Sequence, residues 1–387
     1  MTIEYPLAKE TINEQDIDEL CTWLKSYPRL TKGDLTWQVE EDWANYIGTD
    51  YAVFNNSGSS ANLLMIAAAV QAGRIPNKKI VVPSVGWVTT IAPAMQLGLH
   101  PIMVGADKET FGMDLDQLEE VCERERPDAV IFVQVLGVPH HRDRILELKK
   151  KYGFILLEDA CAALGASYSD GEMVGTVGDM SSFSFYFGHQ LSTIEGGMVN
   201  TNDKELYEML LMLRSHGWAK DLSPATTEKM MAKYNIDDFH SPFTFFVPGY
   251  NLRSTDLQAF LGIRQVKKAD WTANQRNKNH RLYAELLDGY VDFQRWGEHN
   301  PVSISFGALA NSTEHRREIV ERLVANGVET RIFSAGNLGR HPFWVDKYGT
   351  FEDEMSDKIH SCGFFVPNYP ELTSADIRFI CDVIKGS

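Results

Sequence analysis

The chain predicts an α/β fold with a large, mostly parallel sheet followed by a smaller α+β domain, and three observations carry that prediction. Residues 79–83, 129–135 and 154–159 are short, continuous apolar runs rich in β-branched side chains, the pattern of strands buried on both faces of a sheet. An amphipathic stretch over 141–149 separates the last two, so strand, helix and strand follow in the rhythm of a βαβ unit. After about Asn251 the texture changes to longer helical stretches with isolated strands between them.

Taken in order, residues 60–71 are Ala-, Leu- and Met-rich and follow Ser57-Gly58-Ser59, which supplies a turn and capping groups, so they predict a helix. The three apolar strands and the intervening helix come next. Beyond the change of texture, 255–268 and 274–287 predict helices, 303–306 a strand, and 314–326 a helix stopped by Gly327. A strand over 328–333 and a terminal helix over 374–385, opened by Ser374 as its N-cap, complete the reading. The domains are placed at 1–250, large and α/β, and 251–387, small and α+β.

The bulk properties exclude several function classes. With 387 residues, 44% of them hydrophobic, the chain can bury a sizeable core, and its 23% charged content without low-complexity tracts excludes a disordered or fibrous protein. A formal net charge of −16 repels nucleic acid and anionic membrane, so neither is an expected partner. A phosphate-bearing ligand would have to be held by local amides and arginines against that field. The five cysteines are scattered, with no C-x-x-C pair, which points to a reduced, cytoplasmic setting and offers no ligand set for a metal or an iron–sulfur centre. The opening MTIEYPLAKE has no basic stretch followed by an apolar run, and the apolar residues 63–70 are too few to span a bilayer.

Four segments carry chemistry. Asn56-Ser57-Gly58-Ser59-Ser60 leads into a helix, and its exposed N–H groups, hydroxyls and helix dipole make a phosphate cradle, although an ordinary helix cap accounts for the same residues. Glu158-Asp159 ends an apolar strand, where ligands of open α/β sheets bind, and an aspartate there can keep a pyridine nitrogen protonated. Ser182-Phe183-Ser184 runs through a turn to His189 and on to Glu195-Gly196-Gly197; a lone histidine in such a loop is more often structural. Tyr250-Asn251-Leu252-Arg253 offers an amide and a guanidinium that could reach a phosphate, and a simple linker would read the same way.

In this order the four segments resemble the DegT/DnrJ/EryC1 family of pyridoxal-phosphate-dependent sugar aminotransferases and dehydratases, over nearly the whole chain from Tyr5-Pro6-Leu7-Ala8 to the terminal helix. The resemblance implies the type I fold of aspartate aminotransferase. It implies that Gly58, Ser59 and Ser184 contact cofactor phosphate, that Trp87 stacks on the pyridine ring and that Asp159 faces the ring nitrogen. It also implies that Asn251 reaches the cofactor phosphate of a neighbouring subunit, hence a homodimer with shared sites.

One departure decides the branch. Aminotransferases of the family carry a cofactor-binding lysine six residues before the glutamate of E-G-G, and counting back from Glu195 gives His189. The chain therefore resembles the histidine-bearing dehydratase branch, which Arg214-Ser215-His216-Gly217-Trp218, Phe246-Val247-Pro248-Gly249 and Ala335-Gly336-Asn337 also match, whereas Gln190 and Ala162 depart from it. That branch implies pyridoxamine phosphate as the working cofactor and loss of the C3 hydroxyl from a nucleotide-linked 4-keto(-6-deoxy) sugar. GDP is the inherited default nucleotide, in deoxysugar biosynthesis for lipopolysaccharide or O-antigen. An imidazole of ordinary pKa, about 6.5, is suited to move the protons. Glutamate is the expected amino donor, with no iron–sulfur partner, and His216, Arg253 and Arg331 are expected on the substrate, Arg331 being equally readable as a strand-edge charge. His341 and His360 are given no role. The alternatives are an aminotransferase whose lysine has been replaced and an inactive relative that only binds a sugar nucleotide.

Overall fold

In the computed structural model, which describes residues 3–386, the three apolar runs lie side by side in one sheet. The strands are β1 (Tyr51–Asn55), β2 (Lys79–Pro83), β3 (His100–Val104), β4 (Ala129–Val133), β5 (Ile155–Asp159), β6 (Met180–Ser184) and β7 (Gly197–Thr201), in the order β1-β7-β6-β5-β4-β2-β3. β3, β2, β4, β5 and β6 pair in parallel, and β7 runs antiparallel to both β6 and β1. The expected mixed, mostly parallel sheet is present. Met1, Thr2 and Ser387 lie outside the described residues, so the first two residues of the leader reading have no structural counterpart.

The continuous apolar runs have a direct cause. Val130 and Phe132 pack into one buried layer with Trp43, Leu156 and Phe183, while Ala129 and Ile131 pack into the opposite layer with Leu64, Ile80 and Leu157. Both faces of the sheet are covered, so every residue of β4 is buried and alternation vanishes from the sequence. The helix Gly58–Gln71 lies in the second layer. Its apolar residues occupy all sides because it is enclosed by the sheet and the helices Val88–Gln96 and Lys204–Arg214.

The run expected over 129–135 stops at Val133, because Leu136 (φ +54°) and Gly137 (φ +95°) turn the chain sharply. A Cβ at Gly137 would lie 2.3 Å from the Val302 carbonyl oxygen and 2.5 Å from that of Ala162, so two other segments reach the turn only because it carries no side chain.

The small domain is an antiparallel sheet of β8 (Asp292–Phe293), β9 (Ser305–Leu309), β10 (Arg331–Ile332) and β11 (Gly363–Pro367), in the order β10-β11-β9-β8. The strand expected over 328–333 shortens to β10, since Val328 pairs with Tyr5 at the start of the chain. The terminal helix Ser374–Lys385 is capped by Thr373, which forms a capping box with Asp376, and not by Ser374. Nor do the cores divide at residue 250. Helix Asp256–Val266 packs on helix Asp34–Ile47, and the change falls inside helix Ala269–Leu287: Ala269 and Ala273 belong to the large core, Tyr283 and Leu287 to the small one.

Candidate active site

Strand pairing brings the candidate residues to one end of the large sheet. Asp159 of β5 stands opposite Ser182 of β6, and Ser184 opposite Gly197 of β7, which faces Asn55 at the end of β1. Asn55 leads to Ser57, whose hydroxyl caps helix Gly58–Gln71 by accepting from the Ser60 N–H at 3.1 Å. A second helix, Val88–Gln96, starts beside it at Trp87, and the Ser59 hydroxyl donates to Thr89 Oγ1 at 3.0 Å across the two first turns. Two helix N-termini with exposed hydroxyls therefore open on one spot, a geometry suited to a phosphate.

Gly58 is buried against Ser184, so the first turn of the helix and the end of β6 form one wall of this cradle. Trp87 leaves its indole 59% exposed, an apolar face available for a planar ring.

Asp159 is buried, and its carboxylate is fully directed. Oδ2 accepts from Asn62 Nδ2 at 2.8 Å and Thr90 Oγ1 at 2.6 Å, while Oδ1 accepts from the Cys161 N–H at 3.1 Å. Asn62 is itself oriented by the Ser182 hydroxyl, which donates to its Oδ1 at 2.6 Å. The sequence reading gave Asn62, Thr90 and Ser182 no role, although Asn62 stands four residues after Gly58, on the same helix face.

His189 lies in the connection between β6 and β7. Hydrogen bonds from Phe185 N to Gly196 O and from Thr193 N to Phe185 O pinch the base of this loop, and Ser192 N donates to Thr11 Oγ1. The imidazole Nδ1 is buried with no hydrogen-bond partner. Burial first, and the positive charge of Arg276 second, push its pKa down to about 4. At neutral pH the ring is then an uncharged base.

Asn251 and Arg253 sit on an extended stretch paired with Ser215 on one side and Asn55 on the other, which sets them beside the phosphate turn. Asn251 is exposed. Arg253 lines a cleft of about 230 Å³ with the cationic Arg29, Lys32 and Lys220, which no motif flagged, and with the acidic Asp34 and Asp221. His216, in the left-handed region at φ +62°, is held there by its N–H donating to Tyr250 O. Arg214, matched as part of a motif, is a core residue: fully buried, it pairs with Glu40 and donates to Phe54 O at 2.8 Å. Arg331 is not brought into this group. It lies exposed on edge strand β10, paired with Glu329 at 2.8 Å. Asn337 works from behind, pairing with Val85 two residues before Trp87. Among the described residues no cluster of three or more His, Cys, Asp or Glu side chains could hold a metal ion.

A seven-stranded mixed sheet with an antiparallel C-terminal domain, and a site at the strand ends built from helix N-termini, an exposed indole and a buried aspartate, define an enzyme of the aminotransferase fold. The chain belongs to the DegT/DnrJ/EryC1/StrS aminotransferase family, whose model matches residues 10–385. It is 34% identical over 392 residues to GDP-4-keto-6-deoxy-D-mannose 3-dehydratase of Yersinia pseudotuberculosis, covering 99% of this chain and 98% of the relative. The solved structure of the E. coli GDP-4-keto-6-deoxy-D-mannose-3-dehydratase with bound hydrated PLP superposes with a TM-score of 0.90 at 30% identity, covering 99% of this chain and 100% of that one. A structure of GDP-4-keto-6-deoxymannose-3-dehydratase with a trapped PLP-glutamate geminal diamine gives 0.88 at 30% identity, over 98% and 100% of the two chains.

Proposed function

We propose that this chain is a 3-dehydratase that removes the C3 hydroxyl of a nucleotide-linked 4-keto-6-deoxy sugar, GDP-linked, using pyridoxamine phosphate regenerated from glutamate. One observation carries the reading. No lysine occurs between Ser182 and Gly197, and the loop presents instead His189, with a buried ring nitrogen that has no partner.

The residues present fit the cofactor. The paired helix starts at Gly58, Ser59 and Thr89, with Ser184 behind them, would hold its phosphate; the Trp87 face would cover its ring; Asp159, fixed by Asn62 and Thr90, would face its nitrogen. When bound, that group supplies an amine for the sugar's keto carbon and an electron sink. The neutral imidazole of His189 can take up a proton on a ring nitrogen and deliver it to a departing hydroxyl, and it cannot form the stable imine a lysine would. The overall change balances with glutamate alone: C3–OH plus glutamate gives C3–H, 2-oxoglutarate and ammonia, so no external reductant is required.

Arg253 and His216, beside the phosphate turn, are assigned to the sugar nucleotide; Arg331 keeps only its ion pair in this reading. The exposed Asn251 is assigned to the cofactor phosphate of a second copy, in a homodimer. Five unpaired cysteines support the cytoplasm as the compartment.

The test is ammonia release from GDP-4-keto-6-deoxy-D-mannose by the cofactor-loaded chain in the presence of glutamate. Stoichiometric ammonia with a 3-deoxy product supports the proposal. A 4-amino sugar product would make the chain an aminotransferase, and retained cofactor without any conversion by glutamate would make it a binding protein.

A further inference from the structure

Gln190 follows His189 and is fully buried, yet its carboxamide serves no other side chain. Its Nε2 donates to Ala162 O at 2.5 Å and to Val302 O at 2.7 Å. Its Oε1 is buried with no hydrogen-bond partner, so the side chain's polar contacts all run through Nε2. An apolar residue of the same length would leave both carbonyl acceptors without this donor.

The two acceptors explain where that is. Ala162 comes three residues after Asp159. Val302 belongs to the segment that leads into β9 of the small sheet. Both carbonyl oxygens converge on Gly137, within 2.3 to 2.5 Å of where its Cβ would stand. Two carbonyl dipoles aimed at one point repel each other, and an amide NH₂ between them is the group that joins them. The Val302 segment is itself held firmly: Val302 N donates to Gly137 O at 2.9 Å and Ile304 N to Leu136 O at 3.0 Å. From behind, Arg276 donates to the carbonyls of Ser303, Ile304 and Asn368.

We infer that Gln190 is a positioning residue: by bridging Ala162 O and Val302 O it fixes the His189 ring relative to the strand end that carries Asp159, with the segment that leads into β9 as the second anchor. The inference rests on His189 as the proton-moving group. Proton transfer depends steeply on geometry, and a displacement of about 1 Å can cost about 10²-fold in rate. Gln190 touches no reacting atom; it acts through its neighbour.

Two variants test this in the full chain. Gln190→Met keeps the length and removes the donors; Gln190→Glu keeps the shape and turns an acceptor toward two carbonyls. Amide hydrogen exchange followed by mass spectrometry on the cofactor-free chain is expected to show residues 186–194 exchanging at least about tenfold faster in both, with β4 and β5 unchanged. In the loaded enzyme kcat is expected to fall about 10²-fold with KM for the sugar nucleotide and affinity for pyridoxal phosphate within about twofold of the parent. Unchanged exchange in 186–194, an unchanged kcat, or faster exchange spread over the whole sheet would each overturn the inference. If the parent chain releases no ammonia, the dehydratase proposal fails on its own, while the exchange data still decide whether Gln190 tethers the loop.

Discussion

Gly58 and Ser184 approach so closely that a Cβ at residue 58 would lie 2.5 Å from Ser184 Cβ and 2.9 Å from Ser184 Oγ, with Cys161 Sγ at 3.0 Å on the other side. The contact joins the first turn of helix Gly58–Gln71 to the end of β6 and so shapes the proposed phosphate cradle. Gly58→Ala must push one wall away. Its affinity for pyridoxal phosphate, followed by absorbance titration, is expected to fall at least about tenfold, with a stability loss of about 1–3 kcal/mol from overpacking. Restoring space with Ser184→Gly in the same chain should recover stability more than affinity, since the hydroxyl is then absent from the cradle.

Asp159 owes its orientation to Asn62 and Thr90, both donating to Oδ2. Thr90→Val is nearly isosteric and removes the hydroxyl alone. It should leave the fold intact, cost about 1–2 kcal/mol because a buried carboxylate oxygen loses a donor, and lower turnover about tenfold. Denaturant titration and a kcat measurement check the two parts separately. A turnover equal to that of the parent would mean that Asn62 alone suffices to direct the carboxylate.

The sheet was legible because burial on both faces writes itself as an unbroken apolar run, and β2, β4 and β5 fall at or within the expected residues. The capped helix start was legible because Ser57, Gly58 and Ser59 are local in sequence. What escaped is what depends on distant pairing. Asn62 and Thr90 meet Asp159 from two helices, Ser182 of β6 orients Asn62, and Gln190 meets Val302 across 112 positions of sequence. Arg214 looked like a motif residue on the strength of its neighbours, while its environment makes it a core cation. Arg331 was read from sequence as equally a site residue or a strand-edge charge, and on edge strand β10 it pairs with Glu329. The lowered pKa of His189 was not readable either, since it comes from burial and from Arg276, 87 residues away.

Arg214 offers a test of that distinction. It is 0% exposed and Glu40 is 4% exposed, and the guanidinium also satisfies Phe54 O and reaches Asp221 at 3.3 Å. Arg214→Met would leave Glu40 buried beside an unpaired carbonyl. The expected cost is about 3–5 kcal/mol, visible as a lower urea midpoint. Because the pair is structural, variant protein that remains folded at low temperature should retain parent-like KM for the sugar nucleotide.

Three buried imidazoles give stability a dependence on mild acid. Burial holds His140 and His189 down to about pH 4 and His280 to about 3, with His141, Arg276 and Arg281 adding to the respective shifts. Unfolded, each ring takes its proton near pH 6.5. Between about 6.5 and 4 the unfolded chain therefore binds more protons, and stability falls as pH is lowered through that window. Carboxylates held below their ordinary range, such as Asp353 and Asp357, contribute stability that is lost only at still lower pH. Calorimetry should find Tm lower at pH 5 than at pH 7.5, with a shallower slope in His280→Gln.

The same displacement of His189 makes a prediction for activity that runs opposite to the usual expectation for a histidine base. A ring titrating near 6.5 would lose half its base form at that pH, and log(kcat/KM), which reports the free enzyme, would fall with unit slope below it. With the folded pKa at about 4, the base form is fully populated at pH 6, and the acid limb belonging to His189 should lie below pH 5. His189→Asn, which keeps a polar side chain of similar reach, is expected to retain cofactor binding and to lose about 10²–10⁴-fold in turnover across the whole range. Removing the Arg276 charge should raise the pKa, so Arg276→Met is expected to move the acid limb upward, toward 6.5, in whatever fraction of the protein folds. An acid limb already at 6.5 in the parent chain would show that the ring is hydrated in solution and that burial does not govern its proton.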